Sequence, residues 1–167
     1  MSGTAGDLRA AAVVARLLDR GETLAVAESL TGGLLSATLV EVPGVSAVFR
    51  GGLVVYATDL KASLADVPEG LLAERGPVDP DVAVALAAGA AKRCGADWGL
   101  ATTGVAGPKT QGGKPVGTVY VGVSGPAGPT ARKLALDGDR HAICTATVTA
   151  ALQLLAARIR AAPARSH

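Results

Sequence analysis

Apolar residues recur along this chain first at helical spacing and then in short continuous runs, and the two patterns alternate. Positions 7–20 place Val13, Val14, Leu17 and Leu18 on one helical face, and Gly21 stands where a left-handed terminating glycine belongs. Thr23-Leu-Ala-Val-Ala27 reads as a buried strand reaching Glu28, after which 34–40 returns to helical spacing. Val42-Pro-Gly44 stops that helix because proline cannot continue it, and 46–49 is at most a helical turn. Residues 51–57 predict a second buried strand, weakened at its start by two glycines. Residues 58–64 predict a helix with Thr58 as its cap, and 68–74 a short helix closed by Gly76-Pro77.

Asp79-Pro80-Asp81 is a helix start: a capping residue, proline at the first helical position and acid in the first turn. That helix runs to Arg93 or Cys94 and ends at Gly95. A third strand over 98–105 opens into a glycine-rich loop over 106–115. A fourth strand over 117–124 is followed by a return over 130–136, most simply as a hairpin. Gly138-Asp139-Arg140 opens the last helix, with Val148, Leu152, Leu155 and Ile159 on one face; the tail from Ala161 is expected to fray. Strands alternating with helices, then a hairpin, predict a three-layer α/β/α sandwich around a mixed, mostly parallel sheet. One domain covers residues 1–167, its core about 8–160, with no internal repeat.

Composition narrows the function. A chain of 167 residues can bury a proper core, and its many small residues suit close packing of helices on a sheet. A net charge of +2 with scattered charges gives no basic stripe for nucleic acid. Cys94 and Cys144 have no metal-ligand spacing and read as small core residues in a reducing cytoplasm. Asp7, Arg9, Arg16, Asp19 and Arg20 interrupt any signal-peptide apolar region. The charge-free stretch 142–157 falls short of the roughly 20 apolar residues of a bilayer span, and its threonines and glutamine suit a core-facing helix. A soluble, cytoplasmic protein without membrane contact is expected.

Four polar places stand out from the packing pattern. At Ser29-Leu-Thr-Gly-Gly33 a strand turns into a helix through hydroxyls and glycines, a corner able to hold a phosphate, or an oxyanion beside a serine. The same residues serve equally well as an N-cap (Ser29 or Thr31) and a turn. Tyr56 and Lys61 flank a second corner; a desolvated lysine there could act as general base, or simply be a surface residue of a helix. Thr102-Thr-Gly-Val-Ala-Gly-Pro108 ends a strand in hydroxyls and small residues, where open α/β sheets bind ligands. Arg140 could offer its planar fork to a phosphate or carboxylate, or stand solvated beside a capping Asp139. His141 and His167 give no triad; if Ser29 is a nucleophile, a lysine base is the more economical partner.

Together these stretches resemble the C-terminal domain of the competence/damage-inducible CinA proteins and their stand-alone relatives, the nicotinamide-nucleotide amidohydrolases. The likeness rests on Ala27-Glu-Ser-Leu-Thr-Gly-Gly33, Val42-Pro-Gly44, Gly51-Gly-Leu-Val-Val-Tyr56 with Lys61, Gly104-Val-Ala-Gly-Pro108, Lys114-Pro-Val-Gly-Thr-Val119 and Gly138-Asp-Arg140, in order along the chain. The resemblance implies the single-domain form and hydrolysis of the carboxamide of nicotinamide mononucleotide, without metal or cofactor. It implies Ser29 as nucleophile, Lys61 as base and Tyr56 as a positioning or polarising group. By the same likeness Thr31, Gly32 and Gly33 would supply donors, and Thr103, Gly104 and Arg140 would line the nucleotide site, in a homo-oligomer, a dimer favoured. The competing reading is a nucleotide-binding module of the same fold without efficient turnover. The sequence departs from the family at Leu30, where a cysteine is common, at Ala57-Thr-Asp-Leu60, and at Lys109-Thr-Gln-Gly-Gly113, where acidic residues are usual.

Overall fold

Side-chain alternation along the strands sorts this protein into its layers. The computed structural model describes residues 3–165. Its sheet contains β1 (Leu24–Glu28), β2 (Phe49–Val54), β3 (Trp98–Gly104), β4 (Thr118–Ser124) and β5 (Thr130–Ala135), in the order β2-β1-β3-β4-β5. β1 runs parallel to both β2 and β3, whereas β4 is antiparallel to β3 and β5, so the sheet is mixed. On β1, Leu24 and Val26 enter one core cluster while Ala25 and Ala27 enter the other. On β3, Trp98 and Leu100 share the first cluster, and Ala101 the second.

The first cluster is covered by α1 (Ala5–Arg20), α2 (Leu34–Val40) and α6 (Arg140–Ala161). The second is covered by α3 (Thr58–Ala65), α4 (Glu69–Arg75) and α5 (Pro80–Cys94). Small residues on the second face let α5 ride very close to the sheet. A Cβ on Gly99 would lie 1.8 Å from the Ala87 carbonyl oxygen, and one on Gly122 would lie 2.4 Å from that of Ala83. The same device recurs between helices: a Cβ on Gly89 of α5 would lie 1.7 Å from the carbonyl oxygen of Ala65, at the end of α3.

The end signals act as expected at Gly21 and Gly95, both left-handed, and at Asp79, whose carboxylate accepts from the N–H groups of Asp81 and Val82. Two expectations need correction. The second strand is not buried throughout: β2 is an edge strand paired only with β1, ends at Val54, and alternates between half-buried and exposed residues. Thr58 does not cap α3, because the cap position falls on Ala57, which makes no side-chain bond. Beyond α6, Arg20 donates to the Pro163 carbonyl at 2.8 Å and Arg165 to that of Gly21 at 2.7 Å. His167 lies outside the described residues. α6 is long and apolar enough to cross a membrane, yet Ile143, Leu152, Leu155 and Ile159 are buried in the core, as expected of a core-facing helix.

Gly89→Ala tests the close approach of α5 and α3. Helix propensity alone favours alanine by about 1 kcal/mol, whereas overpacking against a backbone carbonyl, which no side-chain rotation relieves, costs about 3 kcal/mol, the upper end of the usual range. A net loss in thermal unfolding is expected, and a variant as stable as wild type contradicts the contact.

Candidate active site

Alternation carries on past the end of β1 and throws Glu28 and Ser29 to opposite faces of the sheet. Glu28, following Leu24 and Val26, points toward α2 and is wholly buried. Its carboxylate accepts from the Thr31 hydroxyl at 2.6 Å, the Leu35 N–H at 2.8 Å, the Ser36 N–H at 3.0 Å and the Ser36 hydroxyl at 2.7 Å. The N-cap of α2 is Gly33, which has no side chain to offer, so a carboxylate from the preceding strand satisfies the helix's first turn. Gly32 and Gly33 have φ of 56° and 108°, and this succession of positive angles brings α2 back over Glu28. Gly52 of β2 leaves room for the approach, since a Cβ there would lie 2.5 Å from the Ser36 hydroxyl oxygen.

This arrangement corrects the reading of the corner as an N-cap by Ser29 or Thr31. It also turns Thr31 inward, where its hydroxyl meets Glu28 and, at 2.9 Å, Thr102. Thr31, Gly32 and Gly33 do not line the cleft described below. Two N–H groups of the α2 first turn, those of Leu35 and Ser36, are engaged by Glu28 instead of facing a ligand.

Ser29 points the other way, toward α3, and there meets Lys61. The amine nitrogen lies 3.0 Å from Ser29 Oγ, 2.7 Å from the Val55 carbonyl oxygen and 3.2 Å from that of Tyr56. Lys61 is only 1% exposed, and among the described residues no carboxylate pairs with it. Burial therefore pushes the amine from its ordinary 10.5 down to about 8. The three neighbours suit both protonation states. An ammonium donates to all three; a neutral amine keeps its two donations to the carbonyls and turns its lone pair to the serine hydroxyl. Proton transfer from Ser29 thus needs no rearrangement.

The pair lies in a cleft of about 330 Å³ at the carboxyl ends of the parallel strands, within the usual range for small-molecule sites. Thr103 and Gly104 of β3 line it, with Thr103 donating its hydroxyl to the Pro77 carbonyl at 2.6 Å. Tyr56 stands at the rim, 57% exposed; its main-chain carbonyl faces Lys61 while its phenol oxygen accepts from Arg140 at 3.1 Å. Arg140 also donates to the Gly107 carbonyl and so spans the cleft mouth. Cys144, one turn along α6, donates its thiol to the Leu30 carbonyl at 3.2 Å, and burial pushes that thiol's pKa up, which keeps the proton in place. The charged residues lining the cleft are Lys61, Lys109 and Arg140, all cationic.

Sequence reasoning missed Glu28 and the wall formed by Pro77 and Val78. It grouped Thr102 with the ligand-facing hydroxyls, whereas Thr102 turns to Thr31 and stays outside the cleft lining. Glu28 had a usable signal: an acid closing an apolar strand must find donors, and a helix opening on two glycines must find an acceptor.

Fold and cleft define a three-layer α/β protein that sets a buried lysine against a serine at the carboxyl ends of its parallel strands. The chain belongs to the CinA C-terminal domain family, whose model matches residues 7–159. It is 54% identical over 153 residues to a CinA-like protein of Frankia casuarinae, covering 92% of this chain and 35% of that one. A CinA-like protein of Anaeromyxobacter is 48% identical over 161 residues, covering 95% of this chain and 39% of the relative. The chain thus spans between a third and two fifths of these relatives' lengths. The crystal structure of the competence/damage-inducible protein CihA from Agrobacterium tumefaciens superimposes with a TM-score of 0.89 at 33% identity, covering 95% of this chain and 99% of that one. A CinA superfamily protein from Escherichia coli gives 0.89 at 28% identity, covering 94% and 93%.

The depressed Lys61 pKa has a consequence for stability. Between pH 8 and 10.5 the unfolded chain holds a proton on Lys61 that the folded chain has lost, so stability rises with pH across that window. Wild type is expected to gain ~3 kcal/mol relative to Lys61→Met over that range in denaturant titrations. Parallel pH profiles for the two proteins contradict the burial of a titrating amine.

Proposed function

We propose that this chain hydrolyses the carboxamide of nicotinamide mononucleotide, yielding nicotinic acid mononucleotide and ammonia. The observation that carries the reading is the 3.0 Å contact of Lys61 Nζ with Ser29 Oγ inside a cleft whose charged lining is entirely cationic. Neutral Lys61 takes the Ser29 proton as Oγ attacks the carboxamide carbon. Leu30 lines the cleft, and its main-chain N–H has no partner among the described residues; it is the donor assigned to the oxyanion. Lys61, now an ammonium, returns the proton to the departing nitrogen, and the C–N bond breaks to release ammonia and an acyl-serine. Water then attacks the ester carbon with Lys61 again as base. Lys61 hands that proton to Ser29 Oγ as the Oγ–carbonyl bond breaks, freeing the acid product, which ionises to its carboxylate, and restoring the serine hydroxyl and the neutral amine. Arg140, with Lys109 beside the same cleft, is assigned to the phosphate. The Tyr56 phenol positions Arg140.

Ammonia release from nicotinamide mononucleotide, with nucleotide binding measured calorimetrically, tests this. Ser29→Ala and Lys61→Ala are expected to lose about 10³-fold or more in kcat while still binding the nucleotide. Arg140→Ala is expected to lose about 10-fold or more in affinity for the mononucleotide, with little change for the nucleoside. Wild type that binds but turns over no faster than either mutant establishes a binding module instead; equal losses for nucleotide and nucleoside remove Arg140 from the phosphate.

A further inference from the structure

The inner side of the Ser29 corner carries a chain of hydrogen bonds whose direction follows from its partners. The Glu28 carboxylate accepts at all four of its contacts, so the Thr31 hydroxyl donates to it at 2.6 Å. With its one proton engaged there, Thr31 can only accept in its 2.9 Å contact with Thr102, which must donate. The Thr102 hydroxyl oxygen is then left as acceptor for the Ser29 N–H, at 3.3 Å, a group that also donates to the Thr102 carbonyl at 3.1 Å. The order runs Ser29 N–H, Thr102, Thr31, Glu28, and every member is buried.

We infer that Glu28, acting through Thr31 and Thr102, is a positioning residue for the Ser29 nucleophile. The inference rests on the reading of Ser29 as the attacking group. The relay ties the Ser29 main chain to the α2 side of the sheet, while Lys61 takes its hydroxyl on the α3 side. It also turns the Ser29 N–H away from the cleft, leaving the Leu30 N–H as the next main-chain donor. A role confined to capping α2 would not need the Thr31–Thr102 link, because the Leu35 and Ser36 donors already satisfy the cap.

Thr31→Val cuts the relay with nearly the same shape and leaves those cap bonds in place; Thr31→Ser keeps the hydroxyl. Two readouts separate this inference from the substrate assignment: turnover of nicotinamide mononucleotide, and the rate at which phenylmethylsulfonyl fluoride sulfonylates Ser29, followed by intact mass with Ser29→Ala as blank. Thr31→Val is expected to slow both kcat and labelling about 10- to 100-fold, with KM within about two-fold, and Thr31→Ser to restore most of each. Labelling of Thr31→Val at the wild-type rate, a change confined to KM, or failure of Thr31→Ser to rescue overturns the relay. A wild type that labels readily but ignores the nucleotide overturns the substrate assignment alone, since labelling still decides the relay. A wild type that neither labels at Ser29 nor releases ammonia from the nucleotide overturns both, and one that releases ammonia without labelling leaves kcat of the Thr31 variants to decide the relay. Should Thr31→Val not fold, Thr102→Val cuts the next link and carries the same expected and overturning results.

Discussion

An amine buried without a counter-charge is the constraint around which the rest of this site is arranged. Lys61 has two main-chain carbonyls and one hydroxyl for company, and none of them compensates a full positive charge. The surrounding structure keeps it there. Val55 and Tyr56 follow β2, so the sheet edge itself supplies both acceptors. α3 ends at the left-handed Asp66, whose N–H donates to the Lys61 carbonyl and whose carboxylate pairs with Arg93 of α5 at 3.4 Å. Gly89 lets α5 close against the end of the same helix.

The serine that meets this amine is placed by strand geometry, because side chains along β1 alternate between faces. Glu28 and Ser29 are adjacent in sequence, yet one organises α2 and the other enters the cleft. β3 repeats the division: Thr102 joins Glu28's side and Thr103 the cleft side. A one-residue slip of β1 would exchange the two faces, setting a carboxylate against Lys61 and the serine against α2. Register is accordingly as much a part of the site as residue identity. The large residues Leu24 and Val26 on one face and Ala25 and Ala27 on the other specify it.

Much of the scaffold was legible because its signals are local. Gly21, Gly95, Asp79 with Pro80, and the turn before Thr130 mark ends through their own backbone chemistry. The Ser29–Lys61 contact was not local. It depends on which face α3 covers; residue chemistry suggested only that a lysine would suit a nucleophilic Ser29, and the family resemblance is what paired Ser29 with Lys61. Edge position was equally hidden, since neighbouring order in a sheet is not written in a strand's own residues; 51–57 therefore read as buried. At α2 the residues of the corner offered Ser29 or Thr31 as one candidate cap, whereas the acceptor is Glu28, seven residues before Leu35. The glycines at Gly32 and Gly33 make so long a return possible.

Titration of Lys61 itself, through the chemical shift of its ε-carbon in selectively labelled protein, measures this environment directly. A midpoint near 8 is expected for an amine buried against Ser29 without a carboxylate. A midpoint at the ordinary 10.5 would mean a solvated or charge-paired ammonium, and would contradict a lysine poised to take the serine's proton.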